Sequence, residues 1–202
     1  MNFNLKPVLV AVLVLFALGT QAQKLKVTSG KLKDVAGNKS FNMVYTYDDN
    51  LKLGKKSEAD YVAENIEKKN KKEAGTGDAW AAKWQENKEG GKFFDKFEEL
   101  FNDVLSGNGV TASRDNADAT CTITLNVYYL DPGYNVGVQR KPAYLSTTAT
   151  FTVDGKEVAV VDMSMAPGQD AMGYDFDSSY RIAEAFAKTG KTLGKTVAKE
   201  AF

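Results

Sequence analysis

Polar and apolar positions alternate most regularly between Ala117 and Met165. Cys121, Ile123, Leu125, Val127 and Tyr129 fall on one side of a pleated backbone, and Thr120, Thr122, Thr124, Asn126 and Tyr128 fall on the other. That period of two predicts a half-buried strand. Asp131-Pro132-Gly133 then turns the chain, and Tyr134 to Pro142 reads as an exposed link carrying Arg140 and Lys141. A hairpin follows, turning at Asp154-Gly155. A strict two-residue turn sets Thr147 against Asp162 and mixes polar with apolar residues on one face. A three-residue loop with Gly155 left-handed sets Leu145 against Met163 and Thr147 against Val161, and is the preferred register. The three strands of this stretch are expected to be consecutive and antiparallel.

The remaining segments read as cover for that sheet. Gln23 to Leu53 holds two extended pieces around the Ala36-Gly37-Asn38 turn, and in the second Phe41, Met43, Tyr45 and Tyr47 share a face. Asp48, Asp49 and Asn50 are expected to end that strand. Ser57 caps a helix with Val62 and Ile66 at helical spacing, running into Lys68, Lys69, Lys71 and Lys72. Glutamates at 64, 67 and 73 interleave with those lysines, which makes them a solvated face. A helical insertion follows at about 74–91: Ala74-Gly75-Thr76-Gly77 breaks the first helix and Asp78 caps a short second one. Phe93, Phe94, Phe97, Leu100, Phe101, Val104 and Leu105 then form the clearest helical stripe in the chain, ended by Ser106-Gly107-Asn108-Gly109. A short strand from Gly109 to Ser113 leads towards the central sheet. After a glycine-containing loop from Ala166 to Phe176, Asp177 or Ser178 caps a last helix with Ile182, Ala183, Phe186, Leu193 and Val197 inward. Gly190 and Gly194 inside it predict a close approach to a neighbouring element, because glycine otherwise costs a helix about 1 kcal/mol relative to alanine.

The expected fold is α+β: a mixed, mainly antiparallel sheet of about five strands with helices packed on one face, forming a single domain over residues 23–202. Residues 1–22 read as a signal peptide, with Lys6, an apolar run from Pro7 to Leu18, and small residues ahead of a cleavage point after Ala22. The apolar run is too short for a comfortable transmembrane helix, and no cysteine stands at the cleavage point for a lipid anchor. The mature chain is thus expected in the periplasm or otherwise exported, with no stable membrane insertion.

Composition narrows the chemistry. Lysine plus arginine and aspartate plus glutamate both number 26, so no net field attracts nucleic acid. No histidine is present, which removes histidine-dependent triads and the usual zinc ligand. The lone cysteine, Cys121, has no intrachain partner and belongs to the core face, where a thiol acts as a small hydrophobe. Asp48 and Asp49 lack calcium-loop spacing, and nothing in the spacing of Asp48, Asp49, Asp170 and Asp175 compels a pair of catalytic carboxylates. The repeated Gly-Lys-Thr at 190–192 and 194–196 is not a phosphate loop, since Ala185 and Thr189 stand where its first glycine belongs. Thr148, Thr150 and Thr152 fit a solvated sheet face. The chain therefore reads as a non-enzyme without cofactor or metal.

Trp80 and Trp84 lie one turn apart and are the best ligand-binding candidates, with Tyr134 as a companion; the competing reading makes the tryptophan pair a lid on the core. The order of FNMVYTYDD, FDKFEELFNDVLSGNGV, ADATCTITLNVYYLDPG, TATFTVDGKEVAVVDMSM and a terminal helix resembles the secreted α/β domains of Bacteroidetes envelope proteins, which share their layout with the TolB amino-terminal domain and the CsgG periplasmic domain. That resemblance implies helices on one face of a mixed sheet and a non-catalytic role in cell-envelope assembly or protein interaction. Two functions are thus expected: an exported interaction module that contacts an envelope protein or self-associates, or a small-ligand or glycan binder using Trp80 and Trp84.

Overall fold

The computed structural model describes residues 23–168 and 177–202. The expected signal peptide and the loop bearing Asp170 and Asp175 lie outside the described residues. The chain runs β1 (Lys24–Gly30), a 3₁₀ turn (Leu32–Val35), β2 (Ser40–Leu53), β3 (Lys56–Ser57), α1 (Glu58–Asn70), α2 (Thr76–Glu89) and α3 (Lys92–Leu105). It continues through β4 (Thr111–Ser113), β5 (Cys121–Asp131), β6 (Tyr134–Asn135), β7 (Arg140–Lys141), β8 (Ala143–Val153), β9 (Lys156–Gly168) and α4 (Ser178–Ala201).

The architecture is α+β, as the pattern predicted. Strand order in the main sheet is β1-β9-β8-β5-β2, with β3 and β4 both on the outer edge of β2. The sheet thus has seven strands where about five were expected: β4 lies within the short strand expected from Gly109 to Ser113, and β3, two residues long, is too short to show a period. Pairing is antiparallel except where β2 runs parallel to β5 and β4. Among the described residues no helix is long and apolar enough to cross a membrane.

Phe41 and Met43 of β2, Cys121, Ile123, Leu125 and Val127 of β5, Ala149 and Phe151 of β8, and Val161 and Met163 of β9 are buried on one sheet face. α3 and α4 cover that face with Phe97, Phe101, Ile182, Phe186, Leu193 and Val197, all fully buried. Gly190 is the close approach foreseen in the sequence: a Cβ built there would lie 2.3 Å from the Phe97 carbonyl oxygen.

Four local expectations are corrected. Strand β2 does not stop at Asp48; residues 48–51 leave the ladder between Tyr47 and Lys52, and pairing to β5 resumes at Lys52 and Leu53. The hairpin tip is a two-residue turn with Asp154 and Gly155 both at positive φ, and the extra residue sits two positions beyond the turn partners, at Val158. Thr147 therefore faces Met163 and not Val161, and a second irregularity between Leu145 and Thr147 sets Leu145 against Ala166 and not Met163. The Tyr134 to Pro142 link contains its own two-stranded ribbon of β6 and β7. Helix α2 begins at Thr76, ahead of the expected Asp78 cap, with Gly75 left-handed at its start.

Candidate functional site

Helices α1 and α2 form an antiparallel pair beside α3. Gly77 makes that pairing possible, since a Cβ there would meet the Ile66 carbonyl oxygen at 2.3 Å. Asn70 fixes the register, its Oδ1 accepting from the Gly77 amide at 2.8 Å, while Thr76 Oγ1 donates to the Lys69 carbonyl at 3.1 Å. The aromatic rings of the two helices then meet. Trp80 and Trp84 stack with centroids 5.9 Å apart, and Tyr61 of α1 sits against both, at 5.9 and 5.5 Å.

The two tryptophans have different surroundings. Trp84 is 4% exposed, packs on Phe93 at 6.1 Å, and donates from Nε1 to Glu58 Oε1 at 3.0 Å. Phe93 stacks in turn on Phe186 of α4 at 5.4 Å, so Trp84 belongs to the core and holds Trp80 from behind. Trp80 is half-buried and lines a cleft of about 330 Å³. Tyr61, Asn65 and Lys68 of α1, Tyr134 and Asn135 of β6, and Ser178 and Arg181 of α4 share that lining. The structure thus brings Trp80 and Tyr134 to one cavity and places Trp84 in the wall behind it. Tyr134 stands at the rim, 46% exposed.

The cleft is polar around its aromatic wall. Lys69 Nζ lies 5.8 Å from the Trp80 ring centroid, a cation–π contact, and Lys56 pairs with Glu64. Asp177 caps α4, its Oδ1 accepting from the Ser179 amide at 2.9 Å. Arg181 is 4% exposed and donates from Nε to the Pro132 carbonyl at 3.0 Å and from a terminal nitrogen to the Gly133 carbonyl at 3.4 Å. It thereby ties the turn that carries Tyr134 to the start of α4. The Tyr61 hydroxyl lies 3.4 Å from Ser178 Oγ, and burial raises its pKa, keeping it a neutral donor or acceptor.

Tyr61 and Arg181 were not singled out from the sequence. Arg181 had a readable signal, as a charged residue beside the apolar stripe Ile182, Ala183 and Phe186 in the first turn of a helix. Tyr61 had none, because its role depends on where α2 docks. Cys121 is fully buried, and desolvation pushes its thiol up to about 12. Among the described residues no group of three histidine, cysteine, aspartate or glutamate side chains is placed to hold a metal ion. An aromatic wall with amide, hydroxyl and ammonium groups at its edge suits a small ligand having one apolar face and several hydroxyls.

No protein-family model matches the chain, and none of the curated proteins matches it. Among solved structures it is similar to a dodecameric, singly substituted PelC from Paraburkholderia phytofirmans, at 14% sequence identity and a TM-score of 0.36, over 83% of this chain and 96% of that one. A likeness of that degree assigns no function.

Proposed function

We propose that this chain is an exported, non-catalytic binding module of a cell envelope, and that the cleft beside Trp80 takes a sugar or a similar hydroxyl-rich ligand. The observation that carries the reading is the pairing of a half-buried Trp80 with a buried Trp84 behind it. The outer ring is open to a ligand while the inner one holds it rigid, so little ordering is lost on binding. The neighbouring Asn65, Asn135 and Ser178 supply hydrogen bonds at the edge of that ring. The sugar-binding class follows from this chemistry, and the envelope setting rests on the amino-terminal pattern and the resemblance described above.

Calorimetric titration with a panel of envelope glycans tests it, read alongside tryptophan emission. At least one glycan should bind the parent, and Trp80→Ala should weaken that binding about tenfold, equivalent to about 1.4 kcal/mol of lost ring contact. A panel in which nothing produces heat or shifts the emission sinks the reading.

A second reading, assembly through protein contact, is favoured by the β6–β7 ribbon, on which Val136 is 63% and Val138 95% exposed. Light scattering tests its self-associating form. A parent that self-associates and a Val136→Ser/Val138→Ser variant that does not would support it, and a strictly monomeric parent would reject it.

A further inference from the structure

The Gly-Lys-Thr repeat of α4 fails as a phosphate loop, yet its lysines converge on a second groove. This groove has a volume of about 410 Å³ and shares no residue with the Trp80 cleft. Lys96 and Leu100 of α3 form one wall, Pro167 of β9 closes an end, and Lys188, Lys191 and Lys195 line it from α4. Gly190 and Gly194 face α3, which leaves the lysine that follows each of them, 191 and 195, exposed along the groove. Among the described residues three ammonium groups without an ion pair, Lys188, Lys191 and Lys195, and the Glu99-paired Lys96 thereby line the groove with one lining carboxylate, Glu184.

The other helices each carry at least one lysine answered by a carboxylate, Lys71 by Glu67 at the end of α1, Lys83 by Glu86 in α2 and Lys96 by Glu99 in α3, although among the described residues Lys68, Lys69 and Lys72 at the end of α1 form no ion pair. Lys188, Lys191 and Lys195 form no ion pair among the described residues. Lys199 extends the row, so that spacings of three, four and four residues place four lysines on one line of the helix. Like charges one turn apart oppose a helix. The macrodipole compensates only in the last turn, which accounts for Lys199 and not for Lys188, three turns earlier. Because the whole chain has no net charge, the row is a local concentration of positive charge and not a general excess.

We infer that this groove binds a linear polyanion, specifically an acidic polysaccharide whose carboxylates recur at about the 5.4 Å pitch of one helical turn. Among the described residues that line the groove none is aromatic, so a single-stranded nucleic acid finds no stacking platform on them. Lysine in place of arginine supplies point charges on flexible stems, which suits repeated single contacts along an anionic chain and not one bidentate clamp. Affinity then comes from several weak, salt-sensitive contacts summed along the chain.

Calorimetry of the purified chain with polygalacturonate and alginate at low salt tests this, with neutral dextran and a DNA duplex as comparisons. Both polyuronates should bind, dextran should not, and affinity should fall as salt rises. The Lys188→Gln/Lys191→Gln/Lys195→Gln variant should lose at least about tenfold in affinity, and its log–log salt dependence should be shallower by about two. A variant with the same charge change elsewhere, Lys31→Gln/Lys33→Gln/Lys156→Gln, should bind as the parent does. The proposal is overturned if the polyuronates do not bind, if both triple variants lose affinity equally, or if DNA binds as tightly as polyuronate. Circular dichroism checks that the α4 variant is folded, which is expected because the change relieves repulsion within the helix.

Discussion

Replacing Gly190 by alanine should destabilise the protein, against the ordinary rule for a helix interior. In an exposed helix the exchange gains about 1 kcal/mol, because alanine has less backbone freedom to lose on folding. Here the added Cβ would lie 2.3 Å from the Phe97 carbonyl oxygen, 3.0 Å from its carbon and 3.1 Å from the Phe97 Cα. All three are backbone atoms of α3, so no rotamer change relieves the overlap and the helices must move apart. Overpacking of this kind costs about 1–3 kcal/mol, and a clash with backbone belongs at the upper end. Adding the helix gain of about 1 kcal/mol leaves a net loss of about 2 kcal/mol, or about 4–8 °C in Tm for a domain of this size. Gly194 is the internal comparison. Its Cβ would meet the Phe101 carbonyl oxygen and Val104 Cβ at 3.2 Å, so Gly194→Ala should change stability by no more than about 0.5 kcal/mol. Urea unfolding followed by circular dichroism measures both. A Gly190→Ala protein as stable as the parent would refute the claim that backbone contact sets the α3–α4 distance.

Three further outcomes follow from buried groups. Thr147 is fully buried on the core face and its Oγ1 has no hydrogen-bond partner among the described residues, so Thr147→Val should stabilise by about 1 kcal/mol in the same urea assay. Trp84→Ala should cost about 3–5 kcal/mol while Trp80→Ala costs clearly less, since only the former empties the core; equal losses in thermal melts would contradict the division between wall and cleft. The Cys121 thiol, raised by burial to about 12, stays protonated in the fold, so the stability this confers is complete below about pH 9 and lost as pH climbs towards 12. A thiol-reactive dye should label Cys121 only in denaturant, and rapid labelling of native protein at pH 8 would contradict the burial.

The fold is most legible in the sequence where a period persists for several turns or pleats. The stripe from Phe93 to Leu105, the alternation from Cys121 to Val127 and the Ser57 cap all appear where expected, because each signal is local and repeats. Strand β3 escaped it, as two residues carry no period, whereas β4 falls within the short strand expected from Gly109 to Ser113; Val158 escaped because a bulge moves the register without disturbing the alternation on either side. The site was half legible. Two adjacent tryptophans are conspicuous in any chain, but which one opens to solvent depends on how α2 docks, and that is set by Gly77, Asn70 and Phe93 together. The α4 lysines were visible as a repeat but not as a row along a groove, since nothing in the local pattern fixes where Lys96 and Pro167 lie.

The order of pairing in the sheet bears on how the chain is made. Strand β1 finds its neighbour in β9, with Lys24 opposite Ser164, and β2 finds its own in β5, with Phe41 opposite Cys121. A polypeptide delivered amino end first therefore carries two orphan ribbons until more than half of its length has emerged, and contacts this distant in sequence close slowly. Such a molecule is slow to lock prematurely and remains threadable for longer, a useful property for anything that must pass through a narrow conduit before it takes shape.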